Sequence, residues 1–205
     1  MIPKIIAPPE TEPLTIEECR AHLEVQPYVV DTDGVGTHPH DDMIMAMQGS
    51  AREFCELFTG LAIGQQTLEI ALDAFPSAEI ELPRPPVVAI VSVKYYDADE
   101  ILQTLADNLY VLDNYQLPGW LLPSIGTTWP ATLGAANAVK VRYLAGYGVT
   151  SDGGEPLPYA IRAAMLLMLG HLYANRESVA AGTIVEVPLG VEALLRPLRI
   201  RLGMA

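Results

Sequence analysis

The feature that most constrains this chain is a change of apolar period. Between about residues 66 and 147 the apolar positions alternate, and on either side of that segment they recur every three or four residues. Alternation marks half-buried strands; the longer step marks amphipathic helices. The flanking helices must meet in space to bury their stripes. The expectation is an α+β protein. A small helical bundle (helices about 15–23, 41–59 and 158–175) is interrupted by an antiparallel β-rich insertion (about 66–147) and followed by an extended C-terminal arm.

Local signals sharpen these bounds. Thr15 and Glu18 form a T-x-x-E capping box, with Leu14 and Cys19 placed as a hydrophobic staple. Residues 25–40, dense in Pro, Gly and Asp, read as a loop. Asp41 or Asp42 then starts a helix whose Ile44, Met47, Ala51, Phe54 and Phe58 share one face, and Gly60 stands where a left-handed C-cap is wanted. In the insertion, Leu68, Ile70 and Leu72 alternate with Thr67, Glu69, Ala71 and Asp73, and Val139, Val141 and Tyr143 alternate with Lys140 and Arg142. Such runs, separated by turn residues, predict about five to seven strands. Pro83, Pro85 and Pro86 mark a strand junction or an edge, and the stretch 117–135 reads as irregular, anchored by Trp120 and Trp129. Pro158 suits the first position of the third helix. That helix carries a stripe of Ile161, Ala164, Met165, Met168 and Leu172, with Leu166, Leu167, Leu169 and Tyr173 around most of the remainder. A helix apolar nearly all round is buried on more than one side, and in so small a protein the second side is expected to meet a neighbouring subunit.

Composition points the same way. Apolar residues make up 50% of the chain and charged residues 18%, which leaves apolar surface for a subunit interface. A net charge of -13 argues against gripping DNA or an anionic membrane, since both need clustered cations. Cys19 and Cys55 are expected as buried, reduced thiols. The opening MIPKIIAPPETEP lacks the apolar core of a signal peptide, and the apolar stretch 159–173 is broken by Arg162 and His171. A soluble chain made in a cytoplasm is expected.

Candidate chemistry is sparse. His38 and His40 beside Asp41 and Asp42 could suggest a metal, but the pair lies in a Gly/Pro loop and the aspartates suit a helix N-terminus. His171 has no nucleophile or carboxylate at a helical step, and His22 suits the negative end of a helix dipole. Gly34–Gly36 and Gly153–Gly154 lack the spacing of phosphate loops. Glu69, Asp73, Glu79 and Glu81 could supply a carboxylate pair, and Tyr95, Tyr96, Tyr110, Tyr115, Trp120 and Trp129 a sugar platform. An outward sheet face and a β core explain them more simply. Neither a catalytic constellation nor a cofactor or metal site is expected. Three of the nine arginines (Arg196, Arg199 and Arg201) fall in the last ten residues, a basic apolar tail on an acidic chain.

A succession of segments carries a family resemblance: L-T-I-E-E-C-R-A-H-L, then D-D-M-I-M-A-M…A-R-E-F-C-E-L-F-T-G, Q-Q-T-L-E-I-A-L-D-A-F-P, I-E-L-P-R-P-P-V-V-A-I-V-S-V-K-Y-Y-D, Y-L-A-G-Y-G, P-L-P-Y-A-I-R-A-A-M-L-L-M-L-G-H-L-Y-A-N-R-E and V-P-L-G-V-E-A-L-L-R-P. Their order resembles the head–tail connector (adaptor) proteins of tailed bacteriophages and prophages, in the version with a β-insertion, over residues 14 to about 197. The long loop 25–40 and the last eight residues depart from the pattern.

The resemblance implies a structural, non-enzymatic subunit of a virion neck, assembled in the bacterial host cytoplasm. Such subunits form a homo-oligomeric ring of about twelve copies under the portal protein, extend the channel for double-stranded DNA, and present a platform to head-completion (stopper) or tail proteins. It assigns 1–65 and 148–195 to a helical ring-forming domain, 66–147 to a β-rich insertion and 196–205 to a docking tail. Ring-interface candidates are Ile44, Met47, Phe54, Phe58, Ile161, Met165, Met168, Leu169 and Leu172. Portal-docking candidates are Arg196, Leu198, Arg199, Ile200 and Arg201. An acidic channel wall, on which carboxylates outnumber cations, would let DNA slide without sticking. The alternatives are another neck ring such as a head-closure protein, or a β-rich carbohydrate-binding or hydrolytic module.

Overall fold

The computed structural model describes residues 2–26, 29–30, 36–148, 156–176 and 188–200. In chain order the elements are β1 (Lys4–Ala7), α1 (Ile16–His22), β2 (Val29–Val30), β3 (Gly36–Thr37), α2 (Asp41–Thr59), β4 (Gln66–Leu72), β5 (Ile80–Leu82), β6 (Val87–Tyr96), β7 (Leu102–Thr104), β8 (Tyr110–Asp113), β9 (Gly119–Pro123), β10 (Val139–Ala145), α3 (Tyr159–Ala174) and α4 (Leu189–Leu195). They form two units. One comprises Met1–Thr11, Gly60–Pro156 and Ile200–Ala205; the other comprises Glu12–Thr59 and Leu157–Arg199.

The helical unit starts where the sequence signals it. Thr15 Oγ1 accepts from the Glu18 backbone N–H, the Glu18 carboxylate accepts from the Thr15 N–H, and Leu14 and Cys19 are buried beside them. α2 ends at Gly60, whose φ of +77° closes the last turn in the left-handed region. Pro158 caps α3 from outside rather than occupying its first turn; its ψ of 136° is extended. α2 packs on α3 and α3 on α4. Ile44, Ala51 and Cys55 from α2, Ile161, Ala164, Met165 and Leu169 from α3, and Val191 and Leu195 from α4 are fully sealed. Within the expected loop 25–40, β2 and β3 make a short antiparallel ladder (Val29 opposite Thr37).

The β unit is two antiparallel sheets with one core. The five-stranded sheet runs β1-β4-β10-β6-β7 and the three-stranded sheet β5-β9-β8. Leu68, Ile70, Val93, Val139, Val141 and Tyr143 of the first pack with Ile80, Leu82 and Leu121 of the second. The proline run 83–86 links β5 to β6. Two expectations need correction. The first is β1, an edge strand outside the 66–147 segment. It shows no alternation because it is exposed at Lys4, Ile5 and Ala7 and carries a register shift between Ile5 and Ala7. The second is Trp120, which is not an anchor for an irregular stretch but a residue of β9. Trp129 does anchor: it stacks on Phe75 (centroids 4.9 Å apart, planes 4° apart) and its Nε1–H donates to the Ala78 carbonyl at 2.7 Å.

Candidate assembly surfaces

Polar chemistry in the helical unit is spent on holding it together. The Arg20 guanidinium donates to Asp41 through Nε (2.8 Å) and Nη2 (2.5 Å), and the His38 backbone N–H donates to the same carboxylate at 2.7 Å. The Arg20 guanidinium therefore holds the Asp41 carboxyl below its ordinary range, aided by the His38 N–H and against the effect of burial. Arg162 of α3 pairs with Glu18 of α1. Arg52 of α2 bridges Glu12 (2.9 Å) and Glu56 (3.1 Å), and Gln48 Nε2–H donates to the Leu14 carbonyl at 2.6 Å.

The histidines enter similar contacts. His38 Nδ1 accepts from the His40 N–H, and His40 Nδ1 lies 2.9 Å from the Tyr173 hydroxyl. The Arg176 guanidinium stands 4.4 Å over the Tyr173 ring. The His171 carbonyl accepts from the Asn175 side chain at 2.8 Å, and His22 lies against Gly170 of α3. Asp41 is thus engaged by a guanidinium and a backbone N–H, an environment for a carboxylate tie between elements. Cys19 and Cys55 are buried thiols, pushed up to about 11 and about 12 respectively, chiefly by burial. Neither is poised as a nucleophile.

The apolar candidates separate into two groups. Ile44, Ile161, Met165 and Leu169 are 0% exposed and lie in the protomer's own core. This corrects the expectation that they touch sister copies, because α3 spends its wide apolar circumference on α2 and α4 together. Met47, Phe54, Phe58, Met168 and Leu172 are half-buried. Helix residues that do reach solvent are others: Met45, Leu57, Tyr159, Leu167 and Leu189. Periodicity missed them because they fall outside the stripe that the fold buries. Of the C-terminal candidates, Arg196 and Leu198 belong to a 3-10 turn after α4 (Arg196–Leu198). The Arg199 guanidinium stands 5.7 Å over the Phe58 ring. Ile200 lies next to Gly60, and Arg201 falls outside the described residues.

The β unit presents two outward faces of unlike chemistry. On the three-stranded sheet, Ile80, Leu82 and Leu121 point inward, so their strand neighbours Glu81, Trp120 and Leu122 point outward. Val111 and Asp113 share that face, opposite Leu122 and Trp120 respectively. Val111 is exposed. On the five-stranded sheet the outward rows run Ala71–Lys140–Lys94–Thr104 and Lys4–Glu69–Arg142–Ser92. Arg142 Nη2 donates to Glu69 at 2.7 Å. Among the described residues Lys4, Lys94 and Lys140 make no ion pair. Of the carboxylates and aromatics that could have made a sugar cleft, Glu81 and Trp120 are cross-strand partners, and the others are placed or engaged elsewhere. Glu69 is paired with Arg142, and Asp73 accepts from the Asn137 N–H. Tyr115 is 96% exposed, whereas Tyr95 and Tyr110 pack against the core.

Among the described residues no helix is long and apolar enough to cross a membrane, and no group of three or more His, Cys, Asp or Glu is placed to hold a metal. No protein-family model and no curated protein matches the chain. Solved structures do. The chain is similar to one in the neck of an empty gene transfer agent (GTA) particle computed with C6 symmetry, with a TM-score of 0.75 and 22% identity. It is similar to one in the virion of a native GTA particle (TM-score 0.72, 22% identity) and to one in the neck of a native GTA particle computed with C12 symmetry (TM-score 0.70, 22% identity). Each likeness covers 100% of this chain and 99% of the other. It establishes the α+β fold with its β-rich region over the whole length.

Proposed function

We propose that this protein is a structural subunit of a phage-like virion neck. It would form a ring beneath the portal protein as a head–tail connector, extend the DNA channel, and present a platform to head-completion or tail proteins. The observation that carries this reading is the end-to-end likeness to neck chains. Both units, in the same chain order, have counterparts in particles whose necks were computed with C6 and C12 symmetry.

The surface chemistry supports it. A ring built from one chain needs head-to-tail contacts, and therefore two different patches per subunit. The helical unit offers Met45, Leu57, Leu167 and Leu189 as exposed apolar side chains. The half-buried Met47, Phe54, Phe58, Met168 and Leu172 stand as further contributors to that contact. Arg196 and Arg199 are exposed cations on an acidic chain and form the basic end of the portal contact. Polar side chains in the helical unit are engaged in ties between elements, which suits a scaffold rather than an enzyme.

The test is solution mass and negative-stain imaging, with and without portal rings. Twelve copies of 22.2 kDa would give a closed annulus of about 270 kDa. The expected result is an annulus in solution or on the portal. A chain that stays monomeric and does not bind portal rings would overturn the reading.

A further inference from the structure

The protein carries three lysines against 25 carboxylates, and all three lie on the outward face of the five-stranded sheet. Lys140 sits directly opposite Lys94 on neighbouring strands, and Lys4 is opposite Glu69, whose carboxylate is taken by Arg142. Like charges facing each other across a ladder destabilise the sheet, so folding gives no reason for this placement. The rest of the face mixes the small side chains of Ala71, Ser92, Thr67 and Thr104 with larger ones, Leu144 opposite Thr67 and Tyr96 opposite the exposed Leu102. The other outward face of the same unit is its complement. Trp120, Leu122 and Val111 form an apolar strip flanked by the carboxylates of Glu81 and Asp113. Trp120 and Leu122 are half-buried and Val111 is exposed, and a Trp that keeps part of its ring on an outward sheet face suits the anchor of a protein interface.

We propose that these two faces bind each other between adjacent copies of this chain: the lysine face of one subunit seats on the Trp120 face of the next. The occupant is a second copy because the two surfaces complement each other in charge and belong to one molecule. The contact is head-to-tail, so it propagates from copy to copy rather than closing a pair, and it gives a ring where the rotation closes. The inference rests on the ring reading above and adds the β unit to its subunit contact. Packaged DNA is the competing anion for the lysine face. It would not account for the apolar strip on the opposite sheet.

The experiment is a face-swap on the full chain, read by sedimentation velocity and negative-stain imaging. Variant one, Lys94→Glu with Lys140→Glu, makes both faces acidic. Variant two, Glu81→Lys with Val111→Lys, makes the Trp120 face basic. Each alone is expected to lose association by on the order of a hundredfold, because like charges are pressed together. Mixed in equal amounts they should assemble again, since each then offers the other a complement on both sides. Raising salt to about 1 M, where the Debye length is about 3 Å, should weaken the wild-type assembly. A gentler variant guards against misfolding: Lys140→Thr should raise Tm slightly while weakening assembly, an opposition that a purely structural lysine would not give.

Variants that assemble like the wild type would overturn the inference and leave the ring reading standing. So would loss of DNA binding in variant one with assembly unchanged, which would assign the lysine face to DNA. Failure of the wild type to form rings, with or without portal, would overturn both.

Discussion

Tyr143 offers the sharpest test of how the β unit is held. Its ring is 0% exposed in the core between the sheets, and its hydroxyl donates to the carbonyl of buried Pro83 at 2.6 Å. That bond ties the middle of β10 to the proline junction between β5 and β6, and so couples the two sheets. Tyr143→Phe keeps the ring and removes only the donor. A neutral hydrogen bond contributes about 0.5–1.5 kcal/mol net, and stranding its buried acceptor adds to the loss, so a cost of about 1.5–2 kcal/mol is expected. For a chain of this length that corresponds to a fall in Tm of about 4–6 °C.

A second readout separates this mechanism from a mere loss of packing. Burial pushes the Tyr143 hydroxyl well above its ordinary value, outweighing the nearby Arg84, which acts the other way. A folded-state value raised above the unfolded one gives stability that is complete below pH about 10 and lost as pH climbs through the folded value. Above pH about 10 the unfolded state has shed a proton that the native state keeps, and stability should fall by about 1.4 kcal/mol per pH unit from this group alone. Tyr110, pushed up to about 12 by burial and by Asp107, and the two thiols contribute to the same slope in both proteins. Urea unfolding at pH 8, 10 and 11, each value stepping through about the relevant window, should show a smaller alkaline loss in Tyr143→Phe than in the wild type. Equal stability of the two proteins at pH about 8, with parallel alkaline slopes, would refute the argument and mean that water satisfies both groups.

Two further changes probe other joints. Gly146 has φ +120°, and a Cβ there would stand 2.2 Å from the Gly64 carbonyl oxygen. Gly146→Ala must therefore move backbone and should cost about 3 kcal/mol or more by urea unfolding; a loss below about 1 kcal/mol would show that the isolated parallel bridge between Gly64 and Tyr147 beside it yields easily. Asp41→Asn removes the anion from a bidentate partner. The pair is covered yet close to solvent, so the cost should fall between that of exposed and buried pairs, at about 1–2 kcal/mol near neutral pH. Because the Asp41 value is lowered in the fold, its contribution is present above pH about 4 and lost as pH falls through the folded value. The two proteins should converge in stability at acid pH, and a constant gap down to pH about 2 would contradict the assignment.

What the sequence made legible follows from how local each signal is. The capping box at Thr15 and Glu18, the helix stop at Gly60 and the alternation in β4 and β10 each involve residues within one turn or one strand. These elements stand where the pattern puts them. β1 escaped because Lys4–Ala7 borrows its regularity from β4 and owns none. Trp120 was misplaced because Pro118, Gly119 and Pro123 around it look like a loop, whereas β5 and β8 on either side make it a strand. Assembly surfaces suffer most. A stripe of Ile161, Met165 and Leu169 reads the same whether a sister helix or α2 and α4 cover it, and only the tertiary packing tells them apart.

That ambiguity explains why the proposed contact between copies rests on charge and not on hydropathy. Apolar periodicity reports burial, and a protomer buries its strongest stripe first. What remains outside is chosen by other pressures. In a chain of net charge -13, 25 carboxylates are available as partners to three lysines. Lys94 and Lys140 face each other instead, on the one sheet face whose single acid, Glu69, is already taken by Arg142. Such an arrangement costs the isolated protomer stability, by about 0.2–1 kcal/mol for a directly opposed pair. In the proposed contact that cost would become a gain, because the Trp120 face of a second copy would bring Glu81 and Asp113 to the lysines. The same logic would limit premature association: an acidic chain repels itself except where the lysine face meets its complement, so the proposed contact would be directional before any apolar surface is buried.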